Sequence, residues 1–168
     1  MRILGIDPGL RRCGWGVLEH RAGRTGFVAC GVITPPPKAD LAARLCAIYE
    51  GIKAVLDEHA PAEAAIEDSF VSANPGSALK LGHARAAAML APAHAGLGVA
   101  EYAPRLVKQA VTGKGGAEKS QVEIMVRMLL PGCGANADAA DALAVAICHA
   151  HHAATDARVA RGGMALGA

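Results

Sequence analysis

Aromatic side chains are nearly missing from this sequence: one Trp, two Tyr and two Phe make up 3% of the 168 residues. A β core built on stacked rings is therefore disfavoured, and close packing has to come from small aliphatic residues in helices laid on a sheet. The five cysteines (Cys13, Cys30, Cys46, Cys133 and Cys148) are odd in number, scattered and without CxxC spacing. They indicate neither a disulfide framework nor a zinc site, and read as small buried hydrophobes. No run of about 18 uncharged apolar residues occurs, and the N-terminus lacks a basic stretch leading into an apolar segment and a small-residue cleavage site. The expectation is a cytoplasmic protein with no membrane association. Charge of one sign is lacking too: the formal net charge is only +2, so any nucleic-acid surface has to show in the distribution of charge.

What is present suits one α/β domain without repeats or an internal linker. The apolar run Ile3 to Ile6 ends in Asp7 and is stopped by Pro8-Gly9, the mark of a buried strand closing in a turn. Cys13 to Leu18 and Phe27 to Ile33 are further strand-like runs separated by a polar turn over Arg21 to Gly26, so the first 34 residues read as an antiparallel meander. After Pro35-Pro36-Pro37, Asp40 caps a helix with Leu41, Leu45, Ile48, Ile52 and Val55 on one face, closed by Pro61. Ala64 to Glu67 is then a strand reached through a crossover helix, which makes pairing parallel to an earlier strand natural. Asn74-Pro75 opens a second helix to about His94, with a kink expected at Pro92. Its Leu79, Gly82, Ala86 and Met89 share a small-residued face that would suit either packing inside the fold or contact with a second copy. Val99 to Tyr102 is a fifth strand, followed by a helix from Pro104, the glycine-rich segment Thr112 to Ala117, a helix near Glu118 to Leu130 and a last helix over Ala137 to Ala154. Residues 155–168 lack an apolar period and read as a disordered tail, leaving 1–154 as the domain.

Four acids carry the chemistry. Asp7 and Glu67 are lone carboxylates at the ends of apolar strands, costly there unless paired or metal-bound. If those strands are parallel neighbours, both acids emerge at one sheet edge, where α/β folds place their sites. Asp138 and Asp141, at i and i+3, share one face near the start of the last helix. The helix macrodipole alone would also account for that pair. Taken together the four form an all-oxygen donor set, which selects Mg²⁺, with Mn²⁺ substituting, and has room for two ions that activate water and stabilise the leaving oxygen of a phosphoryl displacement. The histidines His149, His151 and His152 lack a complementary pattern of ligands.

Positive charge collects in the middle of the chain. Residues 71–127 contain Lys80, Arg85, Arg105, Lys108, Lys114, Lys119 and Arg127 against Glu101, Glu118 and Glu123, an excess of four. A solvated helical surface and a phosphate-binding one both fit that count.

The residues Gly5-Ile6-Asp7-Pro8-Gly9 with Gly14-Trp15-Gly16-Val17, Ala65-Ile66-Glu67, Ser77 to Gly82 with Ala84-Arg85, Val107-Lys108-Gln109, Ala117 to Val122 and Ala137 to Ala144 resemble the RuvC family of Holliday junction resolvases, within the RNase H-like nuclease superfamily. The resemblance covers nearly the whole chain up to about Thr155. It implies an RNase H-like α/β fold with a five-stranded mixed sheet, an antiparallel meander followed by parallel strands, flanked by helices. It also implies a homodimer with two active sites, and paired metal-dependent nicks across a four-way DNA junction that leave 5′-phosphate and 3′-hydroxyl ends in recombination and repair. The branch-migration proteins RuvA and RuvB are partners by the same resemblance. Asp7, Glu67, Asp138 and Asp141 match the family's catalytic carboxylates. Phe70 matches an aromatic that stacks on bases near the junction centre, where a polar loop suits stacking better than core packing. Lys108 and Lys119 match basic residues near the scissile phosphate, and Lys80, Arg85 and Lys114 join them as DNA-facing cations. Asp68, where relatives often carry glutamine, and Lys114 in the glycine loop depart from the family pattern.

Other readings are weaker. An actin-like kinase shares the first Asp-x-Gly hairpin but needs a second phosphate hairpin and a nucleoside subdomain for which this chain has no room. A P-loop over Gly113 to Ser120 fails because Glu118 stands where glycine is required. A related RNase H-like nuclease acting on RNA, or a catalytically silent junction-binding module, remain the alternatives; the complete set of acids weighs against the second.

Overall fold

A computed structural model of the chain describes residues 1–68 and 74–165, with side chains up to residue 153. The meander is present as β1 (Arg2–Asp7), β2 (Cys13–Arg21) and β3 (Arg24–Ile33). The turn is tighter than the polar stretch Arg21 to Gly26 implies: only Ala22 and Gly23 lie between the strands, both at positive φ. That is the requirement of a two-residue turn matched to strand twist, so the charged residues beside it pair across the ladder down to Arg21↔Arg24. Helix α1 (Leu41–His59) begins at Asp40, whose carboxylate accepts the Ala43 N–H at 2.8 Å. β4 (Glu63–Glu67) follows, then α2 (Pro75–His94), capped by the Asn74 side chain on the Gly76 N–H at 2.9 Å. β5 (Val99–Tyr102), α3 (Pro104–Thr112), α4 (Lys119–Leu129) and α5 (Ala137–Ala165) complete the order. α5 runs past the end expected at Ala154. Missing apolar periodicity is no bar to a helix, because an alanine- and arginine-rich sequence propagates one without it.

The sheet order is β3-β2-β1-β4-β5, with β1 antiparallel to β2 and parallel to β4. Two cores cover its faces. Leu4, Ile6, Val17, Ala64 and Ile66 pack with α1 and α2, whereas Ile3, Leu18 and Ala65 pack with α3, α4 and α5. Strand alternation then dictates that Asp7, in phase with Ile3 and Gly5, and Glu67, in phase with Ala65, belong to the α5 side. α5 approaches β1 and β2 unusually closely. A Cβ on Gly5 would lie 2.7 Å from the Ala146 nitrogen, and side chains at Gly14 and Gly16 would collide with the Asp138 carbonyl and with Leu143. A floor of glycine under an alanine-rich helix is thus what substitutes for aromatic packing here.

α2 buries Ala84, Ala87, Ala88, Ala91 and Pro92. Of the small-residued face, Met89 is half-buried against the α1 side of the core, whereas Leu79 is 63% exposed and, among the described residues, nothing lies near a Cβ placed at Gly82. Of the cysteines, Cys13, Cys133 and Cys148 are buried and Cys30 is half-buried, but Cys46 is exposed on α1, contrary to its expected burial. Among the described residues no helix is long and apolar enough to cross a membrane.

Candidate active site

Asp7 and Glu67 end neighbouring parallel strands. The register pairs Gly5 with Ala65 and Ile6 with Ile66, so the two carboxylates leave the same sheet edge one step further on. Across β2 the partner of Asp7 is Gly14, against which the backbone of Asp138 rests. The start of α5 is held there by Asn136, whose side chain accepts the Ala139 N–H at 3.1 Å while its carbonyl accepts the Ala140 N–H at 2.8 Å. This cap puts Asp138 in the first turn and Asp141 one turn further along the same face. All four acids predicted from the sequence therefore meet at one end of the sheet.

The acids feel one another's charge. Burial, then the charges of Glu67 and Asp141, and to a smaller extent Asp138, push the Asp7 carboxyl up from its ordinary 3.8 to about 7, against the opposing pull of Lys119. Lys119 donates to the Asp141 carboxylate at 3.0 Å. That bond, the charge of Asp141 and the more distant Asp7 and Glu67 raise the Lys119 ammonium above its usual range, with partial burial acting the other way. Asp138 pairs with Arg12 at 2.5 Å. Among the described residues no three His, Cys, Asp or Glu side chains are drawn close enough together to hold an ion as they stand. An oxygen-only set with one carboxyl displaced to about 7 is short of positive charge, and a hard divalent cation is the species that fits such a deficit.

The predicted cations fall into different settings. Lys119, at the start of α4 behind the Glu118–Gln121 capping box, is in direct contact with Asp141. Lys108 lies on α3 and Lys114 in the turn between α3 and α4. Arg85 is tied between Asp68, at 2.9 Å, and Glu101, with its side chain 17% exposed. This gives the unusual Asp68 a partner. Phe70 lies outside the described residues.

A groove of about 600 Å³ beside Asp138 is lined by Arg11, Arg12, Arg44 and Lys80 with Gly9 and Ser77, a grouping that no linear reading reveals. Arg44 comes from α1 and donates to the Leu10 carbonyl at 2.8 Å, bracing the loop after β1. These arginines lie outside the basic stretch 71–127, and only folding adds them to Lys80. At the opposite side of the α5 packing, His149 bridges Glu63 at 2.8 Å and the Tyr102 hydroxyl at 2.9 Å. Glu63 can only accept when ionised, so Nε2 is the nitrogen that donates to it. That bridge ties α5 to β4 and β5.

Comparison with known proteins gives one consistent result. The family model described as crossover junction endodeoxyribonuclease RuvC matches residues 3–149. The crossover junction endodeoxyribonuclease RuvC of Maricaulis maris (strain MCS10) is 62% identical over 152 residues, covering 90% of this chain and 92% of that protein. Two solved structures agree in fold. Thermus thermophilus RuvC superposes with a TM-score of 0.81 at 33% identity, covering 93% of this chain and 97% of that one. T. thermophilus RuvC in complex with Holliday junction substrate superposes with a TM-score of 0.83 at 34% identity, covering 91% and 94%. With the family model spanning most of the chain and the fold shared throughout, this chain belongs to the RuvC family of crossover junction endodeoxyribonucleases.

Proposed function

We propose that this protein resolves four-way DNA junctions by paired nicks, leaving 5′-phosphate and 3′-hydroxyl ends, in recombination and repair. The observation that carries the reading is the convergence of Asp7 and Glu67 from parallel strands under the Asp138 and Asp141 turn of α5, in a chain of this family. Those four acids would hold Mg²⁺, replaceable by Mn²⁺, with two ions per site. When bound, such ions lower the barrier to hydrolysis by activating water and neutralising charge on the phosphate. The chain's own residues do the rest. Lys119 offsets the negative charge around Asp7 and Asp141, and Lys108, Lys114 and Lys80 position the backbone through phosphate contacts that carry no sequence information. Arg85, which pairs with Asp68 and Glu101, is a further DNA-facing cation, and Phe70 stacks on unpaired bases at the junction centre.

A homodimer suits paired nicks, and the exposed face of α2 with Leu79, Gly82 and Ala86 is the surface we assign to it. The nuclease domain is residues 1–154, with 155–168 an appendage. RuvA and RuvB are the expected partners, and the cytoplasm the expected compartment. The test is incubation of the purified protein with a synthetic four-way junction, a linear duplex and an RNA–DNA hybrid, each with Mg²⁺ or EDTA. Nicking of the junction alone, only with Mg²⁺, is the expected result. Cutting of the hybrid in preference would instead make the protein a nuclease on RNA, and junction binding without any cut would make it a silent module.

A further inference from the structure

Two of the four acids are each held by a cation of this chain: Asp141 by Lys119 at 3.0 Å and Asp138 by Arg12 at 2.5 Å. The two cations sit differently. Lys119 lies among the acids, and its charge is felt by Asp7. Arg12 stands at the rim, half-exposed, on a loop braced by the bond from Arg44 to Leu10, and shares the groove beside Asp138 with Arg11, Arg44 and Lys80. Four cations lining a groove that holds a single carboxylate make it a place for an anionic strand. A phosphodiester entering it competes directly with Asp138 for the Arg12 guanidinium, because both offer the paired oxygens that its fork of N–H donors recognises.

We propose that Arg12 is a positioning residue that keeps the Asp138 carboxylate engaged until a DNA phosphate in the groove takes over its guanidinium, so that DNA binding and metal binding strengthen each other through this one exchange. The inference rests on the reading of the four acids as metal ligands. It also gives a reason why the described acids are near one another without forming a ligand shell. Thermodynamic linkage requires the effect to be reciprocal: whatever factor DNA adds to metal affinity, metal adds to DNA affinity.

The experiment uses the full chain and Mn²⁺ alone as the probe, with free Mn²⁺ followed by electron paramagnetic resonance and no DNA present. Arg12→Gln is expected to bind Mn²⁺ about twofold to fivefold more tightly than the parent, the range for release of a partly exposed ion pair. Arg11→Gln removes the same charge from the same loop without that pair and is expected to change the affinity much less. In the double variant Arg12→Gln with Asp138→Asn the gain is expected to vanish. Separately, fluorescence anisotropy of a labelled four-way junction with and without Ca²⁺ should show weaker coupling in Arg12→Gln than in the parent. Unchanged Mn²⁺ affinity in Arg12→Gln, or an equal gain in Arg11→Gln, overturns the exchange while leaving the metal site standing. Mn²⁺ binding that Glu67→Gln does not weaken removes the metal site itself, and the exchange with it.

Discussion

The backbone carbonyl of Asp138 rests on Gly14, in the space that a Cβ would occupy at that position. Gly14 is also the cross-strand partner of Asp7. Together with Gly5 and Gly16, this glycine sets how far the helix-borne acids stand from the strand-borne ones.

Gly14→Ala should displace the first turn of α5. The added methyl meets backbone, which cannot rotate aside, so the cost is expected at about 2–3 kcal/mol. Urea unfolding should show a lower midpoint with the slope unchanged. Nicking should fall steeply even at temperatures where the variant is folded. Parent-like stability and activity would mean that α5 docks less tightly than the close approach at this glycine requires.

Asp7 makes stability depend on pH in a direction opposite to that of most carboxylates. Its folded value of about 7 lies above its ordinary 3.8, so the native state binds the proton more tightly than the unfolded chain does. The contribution is fully present below 3.8 and is lost as pH rises through about 7. In EDTA, Asp7→Asn should therefore be more stable than the parent at pH 8, by on the order of 1–3 kcal/mol, with the difference shrinking towards pH 5. Thermal melts at the two pH values measure this. The same substitution should abolish nicking and leave junction binding nearly intact, because it removes a ligand and no part of the basic surface. Full nicking by Asp7→Asn would contradict the assignment of the acids.

Lys108→Ala should weaken junction binding and flatten its salt dependence. Every phosphate that the protein no longer neutralises takes about 0.9 off the slope of log affinity against log salt concentration. Anisotropy titrations of a labelled junction at several salt concentrations give that slope directly. An unchanged slope would show that Lys108 does not touch phosphate.

Much of this architecture can be read along the chain because it rests on local chemistry. Pro8-Gly9 after Ile3 to Ile6 marks a strand end whatever surrounds it, and Asp40 and Asn74 cap helices through bonds to N–H groups two or three residues away. Period-two alternation likewise assigns Asp7 and Glu67 to one face once their strands are parallel neighbours. The turn at Ala22-Gly23 and the extension of α5 to Ala165 were less legible. Polar composition marks a turn region without giving its length, and a missing apolar period says nothing against a solvated helix.

The sequence by itself determined which residues are acidic, where the helices begin, and that four acids stand where the resemblance puts the family's carboxylates. Only the tertiary structure decided which cation meets which acid. Arg12 and Asp138 are far apart in the chain, and they meet because α5 settles on the glycines of β1 and β2. The basic groove has the same origin, since Arg11, Arg12 and Arg44 come from outside the basic stretch and join Lys80 only where α1, α2 and the loop after β1 converge. Ion pairs and grooves depend on distances of a few ångströms between segments, and local propensity does not encode such distances.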